Sequence, residues 1–277
     1  MRRVRPVALV LFVAMLVSAT PALASQTHDY LALGDSVAFG FNPLLFPSGA
    51  SNPANFVGYP EALAATLPLD LTNASCPGEA SGGFISLASP LDNGCRPYRG
   101  VFPLHAAYTS SQLDFAVAYL AAHPQTKLIT IDLGANDLFH LQHVCADNPS
   151  CISAGLPATL ATLGTNLRTI YARLRAAGFH GRLVALTYYS LDYRDANVTA
   201  VVAAVNVVVA SATLAQPAGA VADGFAAFAA ASAPSGSPCA AGLLIALPSG
   251  GCDIHPSATG RDLLARAIRE VVRASGD

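Results

Sequence analysis

The 277-residue chain has no tryptophan, only two methionines and few charges, with Asp, Glu, Lys and Arg together making up 12% of it. Fifteen basic side chains stand against seventeen acidic ones. No basic patch is evident, so the chain lacks the electrostatic footprint that a phosphate backbone demands, and nucleic acid is not an expected partner. Several chemical signatures are also missing. There is no Gly-x-Ser-x-Gly elbow, no His-Glu-x-x-His helix, no Walker-type phosphate loop and no Gly-x-Gly-x-x-Gly turn. These absences argue against an α/β-hydrolase elbow, a zinc protease and nucleotide binding, and no cofactor or metal is expected. Long apolar runs are scarce as well. The stretch from Ala196 to Ala215 approaches spanning length, but Asn197, Asn206, Ser211 and Thr213 interrupt it, and it reads as a buried soluble helix rather than an anchor.

What is present begins with a leader. Arg2, Arg3 and Arg5 precede the apolar run from Val7 to Val17, and Ala22-Leu23-Ala24 is a small-x-small cleavage signal before Ser25. The apolar core is too short to span a membrane and no basic stop follows. The arginine pair lacks the remainder of a twin-arginine signal. A secretory signal peptide at 1–24 and one domain at 25–277 are therefore expected, the domain long enough to bury a large core. All six cysteines, Cys76, Cys95, Cys145, Cys151, Cys239 and Cys252, fall in the exported part. An even number in an exported chain implies disulfides, which counting alone cannot pair. Loops between sequence neighbours close most simply, favouring Cys76 with Cys95, Cys145 with Cys151 and Cys239 with Cys252. A monomer outside the cell is the expectation.

Short apolar runs at Tyr30 to Leu33, Leu69 to Thr72, Leu128 to Leu133, Leu183 to Thr187 and Ala220 to Ala222 are predicted strands. Between them lie helical patterns at Tyr59 to Leu67, Ser111 to Ala122, Pro157 to Ala177, Ala196 to Ala215 and Ala258 to Ala274. Alternating β and α units predict an α/β domain with a parallel sheet covered on both faces. Two long connections, Gly82 to Ser110 and Asp223 to Pro256, are rich in small residues and carry cysteines, so order is expected there, as walls of a substrate cleft.

Three segments carry chemistry. In Gly34-Asp35-Ser36 a strand delivers a serine hydroxyl at its carboxyl end, where open parallel sheets bind ligands. Gly134-Ala135-Asn136-Asp137 follows a second buried strand, and His255-Pro256 sits just before the last helix. In order and spacing these blocks resemble the SGNH (GDSL) hydrolases, which contribute a Ser, a Gly, an Asn and a His. The second block is looser, with Gly78 the best match and Gly82 the rival. The resemblance implies a flavodoxin-like three-layer α/β/α sandwich with a five-stranded, mainly parallel sheet in the order 2-1-3-4-5. It also implies ester hydrolysis.

An ester-cleaving serine enzyme needs an activated hydroxyl, a base and donors aimed at the developing oxyanion. Ser36 supplies the first, His255 the second, and the amides of Ser36 and Gly78 with the side chain of Asn136 the third. Asp35 and Asp137 adjoin the site, and hydrogen-bonding roles suit them better than a two-carboxylate glycosidase. His140 and His143 with Cys145 and Cys151 imitate a zinc site, but oxidised cysteines offer no thiolate. What orients His255 departs from the family pattern of Asp-x-x-His, because Cys252 holds that position and Asp253 lies two before the base. Asp253 is favoured, and the main-chain carbonyl of Cys252 is the alternative acceptor.

The expected function is a secreted serine esterase or lipase acting on small-molecule or lipid esters through an acyl-enzyme on Ser36. Two rivals share the residues: an exported, non-catalytic module that binds acylated lipid or sugar, and an acyltransferase.

Overall fold

A computed structural model describes Met1, residues 27–91 and residues 94–274. The expected signal peptide at 1–24 lies almost wholly outside the described residues. In chain order the elements are β1 (His28–Gly34), α1 (Ser36–Phe39), α2 (Tyr59–Ala64), β2 (Leu69–Asn73), α3 (Ser81–Ile85), α4 (Cys95–Arg99), α5 (Gln112–Ala122) and β3 (Leu128–Asp132). They continue with α6 (Ala135–Val144), α7 (Pro149–Ala176), β4 (Arg182–Leu186), α8 (Ala196–Leu214), β5 (Gly219–Ala222), α9 (Gly224–Ser232), β6 (Leu244–Ala246), β7 (Cys252–Pro256) and α10 (Ala258–Arg273). Five strands pair in the order β2-β1-β3-β4-β5, every neighbouring pair parallel. Helices α2, α9 and α10 pack together on one side, while α3, α5, α7 and α8 form the other layer.

The strands read as continuous apolar runs because both faces are covered, and Leu31, Leu33, Ile129, Ile131, Leu183 and Val184 are all buried. Register places Gly34 beside Asp132, so the two chain segments that follow β1 and β3 emerge side by side. That juxtaposition is the crevice position of doubly wound sheets.

Several predicted boundaries shift for identifiable reasons. Pro157 was expected to open a helix, yet α7 begins eight residues earlier at Pro149, where Asn148 caps Ser150 and Cys151, and runs on through Pro157. The expected loops also hold elements: α4 within Gly82 to Ser110, and α9, capped by Asp223, with the antiparallel β6–β7 hairpin within Asp223 to Pro256. Their runs are short, and α9 is mostly alanine, so they carry little periodic signal. Helix α8 is only half what was expected. Its second half is buried through Val205, Val209 and Ala212, but Val198 and its neighbours in the first turns are not in the core. All three neighbour disulfides form: Cys76–Cys95, Cys145–Cys151 and Cys239–Cys252.

Candidate active site

β1 ends on Gly34, whose φ of +132° and whose closeness to Asp132 exclude a side chain, since an added Cβ would stand 2.4 Å from the Asp132 carbonyl oxygen and from its Oδ1. The backbone of Gly34 is fixed by a side chain the sequence did not advertise. Gln112 accepts from Gly34 N at 2.7 Å and donates to Gly34 O at 3.0 Å. The next residue, Asp35, caps α1 by accepting from Val37 N at 2.9 Å, which sets Ser36 at the first helical position.

The hydroxyl of Ser36 lies 2.8 Å from Nε2 of His255. On the far side of the ring, Nδ1 lies 2.5 Å from Oδ1 of Asp253, and the same oxygen accepts from the His255 backbone N–H at 3.0 Å. One carboxylate oxygen thus holds both the ring and the main chain of the base. This is how two residues of separation suffice: the chain curls into an Asx-type turn, and the Asp253 side chain folds back over His255. Burial pushes the Asp253 carboxyl upward, but the hydrogen bonds from the His255 ring and backbone outweigh it and hold the group below its ordinary value. Phe41 packs against the imidazole with ring centroids 4.8 Å apart.

Two consecutive tyrosines after β4 tie the parts together. Tyr188 donates to Asp35 Oδ2 at 2.6 Å, and Tyr189 donates to the carbonyl of Ile254 at 2.7 Å, next to the base. Asn206 of α8 grips the backbone of Tyr188 at both N and O. Asn136, near the start of α6, donates to Asp35 Oδ2 at 3.1 Å and lines the cavity at Ser36.

Beneath Ser36 sits a buried carboxyl pair. Asp132 accepts from Tyr59 Oη at 2.8 Å and from Ala38 N at 3.3 Å, and it is hydrogen-bonded to Asp35. Burial raises both groups, and the charge of Asp35 raises Asp132 further. The proton therefore belongs on Asp132, leaving Asp35 as the anion on which Val37 N, Tyr188 and Asn136 converge.

The other expected residues have the following surroundings. Gly78 is not among the described residues that line the cavity at Ser36. Its φ is +78°, and its lack of a side chain is demanded by Gly94, whose Cα would stand 2.6 Å from an added Cβ. Asp137 serves α3, accepting from Ser81 N at 2.9 Å and from Ser81 Oγ at 2.5 Å. Cys145 and Cys151 are bonded to each other, so they cannot join His140 and His143 as thiolate ligands. Of the two connections expected to wall the cleft, Asp223 to Pro256 supplies Ile254 and His255. The walls come mainly from α6, α7 and the start of α8, and the connection from Gly82 to Ser110 contributes nothing among the described lining residues.

Ser36, His255 and Asp253 thus stand in hydrogen-bonded sequence at the crevice of a parallel α/β/α sandwich. Residues 32–263 match the GDSL-like lipase/acylhydrolase family, and the chain belongs to it. It is a carboxylic ester hydrolase of that type. No curated protein matches the chain. Among solved structures it is similar to the extracellular lipase of Streptomyces rimosus, at 20% identity over 88% of this chain and 100% of that one, with a TM-score of 0.59. Phospholipase A1 from Streptomyces albidoflavus NA297 is 19% identical over 90% of this chain and all of its own, with a TM-score of 0.55. The acetylxylan esterase Axe2 from Geobacillus stearothermophilus is 17% identical over 89% of this chain and 94% of its own, with a TM-score of 0.57.

Proposed function

We propose that the protein is a secreted serine esterase or lipase that works through an acyl-enzyme on Ser36, with His255 as the base, Asp253 as its orienting carboxylate, and Ser36 N, Gly78 N and the Asn136 amide as oxyanion donors. The observation that carries this reading is the chain of hydrogen bonds from Ser36 through His255 to Asp253. With Nδ1–H directed at Asp253, Nε2 is the acceptor that faces the serine hydroxyl. Ser36 Oγ attacks the ester carbonyl carbon while its proton passes to Nε2. The tetrahedral oxyanion collapses, the bond to the alcohol oxygen breaks, and Nε2–H protonates that oxygen. Water then repeats the sequence on the acyl-enzyme and releases the carboxylic acid.

Secretion is supported by the three disulfides and by the leader pattern at 1–24, which would leave the hydrolase domain at 25–277. Incubation with a fluorophosphonate followed by peptide mass spectrometry tests the chemistry. Ser36 is expected to carry the phosphonyl adduct, and Ser36→Ala is expected to lose both adduct and ester turnover while melting normally. An unlabelled Ser36 in a folded protein would support the non-catalytic binding module instead.

A further inference from the structure

The cavity that opens at Ser36 has a volume of about 710 Å³. An acetyl group needs only a few times the roughly 30 Å³ share of one water, so the space far exceeds what a two-carbon acyl group fills. Its size is that of a site for a larger ligand. Most of the wall is aliphatic or aromatic: Leu138 and Phe139 from α6, Ile152 and Leu156 from α7, Val201 and Val202 from α8.

Helix α8 supplies an independent reason to assign this space to a ligand. It carries no charged residue along its whole length, and by composition alone it is apolar enough to cross a membrane. The core accounts for its second half and for Val202. In the first half the apolar side chains of Val198 and Val201 border the cavity and are not part of the core packing, so their apolarity serves whatever enters it. Both tyrosine protons at the wall are already used, Tyr188 donating to Asp35 and Tyr189 to the Ile254 carbonyl, so neither hydroxyl is free to donate to a ligand. Gln142, Ser153 and Asn197 are polar exceptions in a lining that is otherwise mostly apolar.

Direction follows from the catalytic geometry. The leaving oxygen must face Nε2 of His255, whose ring rests on Phe41. The substituent on the carbonyl carbon is then turned away from His255, and the lining beyond Asn136 is Leu138 and Phe139 of α6, followed by residues of α7 and α8. Resting on the serine-esterase reading above, we infer that this cavity is an acyl-chain site and that the substrates are esters of fatty acids of about eight carbons or more, rather than acetylated sugars. Each methylene moved from water into such a site is worth roughly fourfold in kcat/KM until the cavity is filled.

The test is a series of p-nitrophenyl esters from acetyl to dodecanoyl, kept below their critical micelle concentrations, beside a second series of acetate esters with lengthening alcohols. The wild-type enzyme is expected to climb in kcat/KM by at least 100-fold from acetyl to octanoyl, with little dependence on alcohol length. Val201→Trp and Ile152→Trp, on two different helices, should each lower the octanoyl-to-acetyl ratio at least tenfold. Val207→Trp, on the exposed face of α8, should leave that ratio within twofold. A preference for acetyl or propionyl, a dependence on alcohol length in place of acyl length, or a ratio unmoved in both cavity variants would overturn the acyl-site assignment. If fluorophosphonate still labels Ser36 in that case, the serine-esterase reading survives. Failure to label Ser36 with no ester turned over would remove that reading and the acyl site with it.

Discussion

Asp253 does two things with one oxygen, and the two can be separated. Asn at this position keeps an acceptor for the His255 backbone N–H but removes the charge that stabilises the imidazolium and favours the wrong ring tautomer. Asp253→Asn is therefore expected to fold normally and to lose kcat by a factor on the order of 10⁴, the scale known for the same change in a serine protease. Stopped assays across pH on a protein of unchanged melting temperature check this, and a loss under about tenfold would return the orienting role to a main-chain carbonyl. Asn136 is likewise bound twice into the argument, through Asp35 and through the proposed oxyanion. Asn136→Ala should cut kcat by about 100- to 1000-fold with a smaller change in KM. A rise in KM alone would make it a ground-state binding residue. At this scale the sequence was partly readable: the Ser, Asn and His stood out by block, whereas Gln112, Tyr188 and Tyr189 did not, because each reaches the site from an element whose placement only the fold decides. Asp132 left a trace, being a lone carboxyl at the end of an apolar strand.

Among elements, the β6–β7 hairpin has the most consequence for its size. It carries both Asp253 and His255 on β7, and Cys252, at the start of that strand, is bonded to Cys239 on the preceding loop. Tyr189 holds the middle of the same strand through the Ile254 carbonyl. Replacing Cys239 and Cys252 together by serine should lower stability by about 2 to 4 kcal/mol and slow fluorophosphonate labelling of Ser36 more than it weakens substrate binding. Replacing Cys145 and Cys151 opens a shorter loop, 6 residues apart against 13, and should cost less stability. Urea melts of the two double variants, with labelling rates, separate these expectations; equal labelling rates in the two would refute the idea that the hairpin disulfide positions the base. The hairpin escaped prediction because its strands are short and Gly-rich at the turn. The five sheet strands were recoverable, since runs such as Leu128-Ile-Thr-Ile-Asp132 are apolar on both faces, but their spatial order rested on the family resemblance and not on any residue pattern.

For the molecule as a whole, burial of carboxyls near the crevice sets how stability follows pH. Desolvation raises Asp132, Asp35 and Asp137 above their ordinary values, whereas the His255 hydrogen bonds hold Asp253 below its own. A carboxyl raised in the fold binds a proton that the unfolded chain has already lost, so its contribution is complete below about pH 4 and declines as pH climbs through the folded value. A lowered one works in reverse, contributing above about pH 4 and failing only as pH falls through its folded value. The raised groups outnumber the lowered catalytic one around the site, and Asp132 moves furthest, pressed by both burial and the charge of Asp35. Stability should therefore decline as pH rises above about 4, with each proton involved giving a slope of at most about 1.4 kcal/mol per pH unit. Asp132→Asn isolates the main contributor. Its amide still donates to Asp35 but cannot ionise, and it gives up one of the two acceptor oxygens now used by Tyr59 and Ala38. The variant should be less stable than the wild type at pH 5, by about 1 to 3 kcal/mol for the unsatisfied donor. As pH rises its denaturation midpoint should change less, so the two curves converge. Urea titrations at half-unit intervals give both curves. Parallel curves would mean that Asp132 holds no proton in the folded protein, and that Asp35 and Asp132 share the space under Ser36 in some other ionisation state.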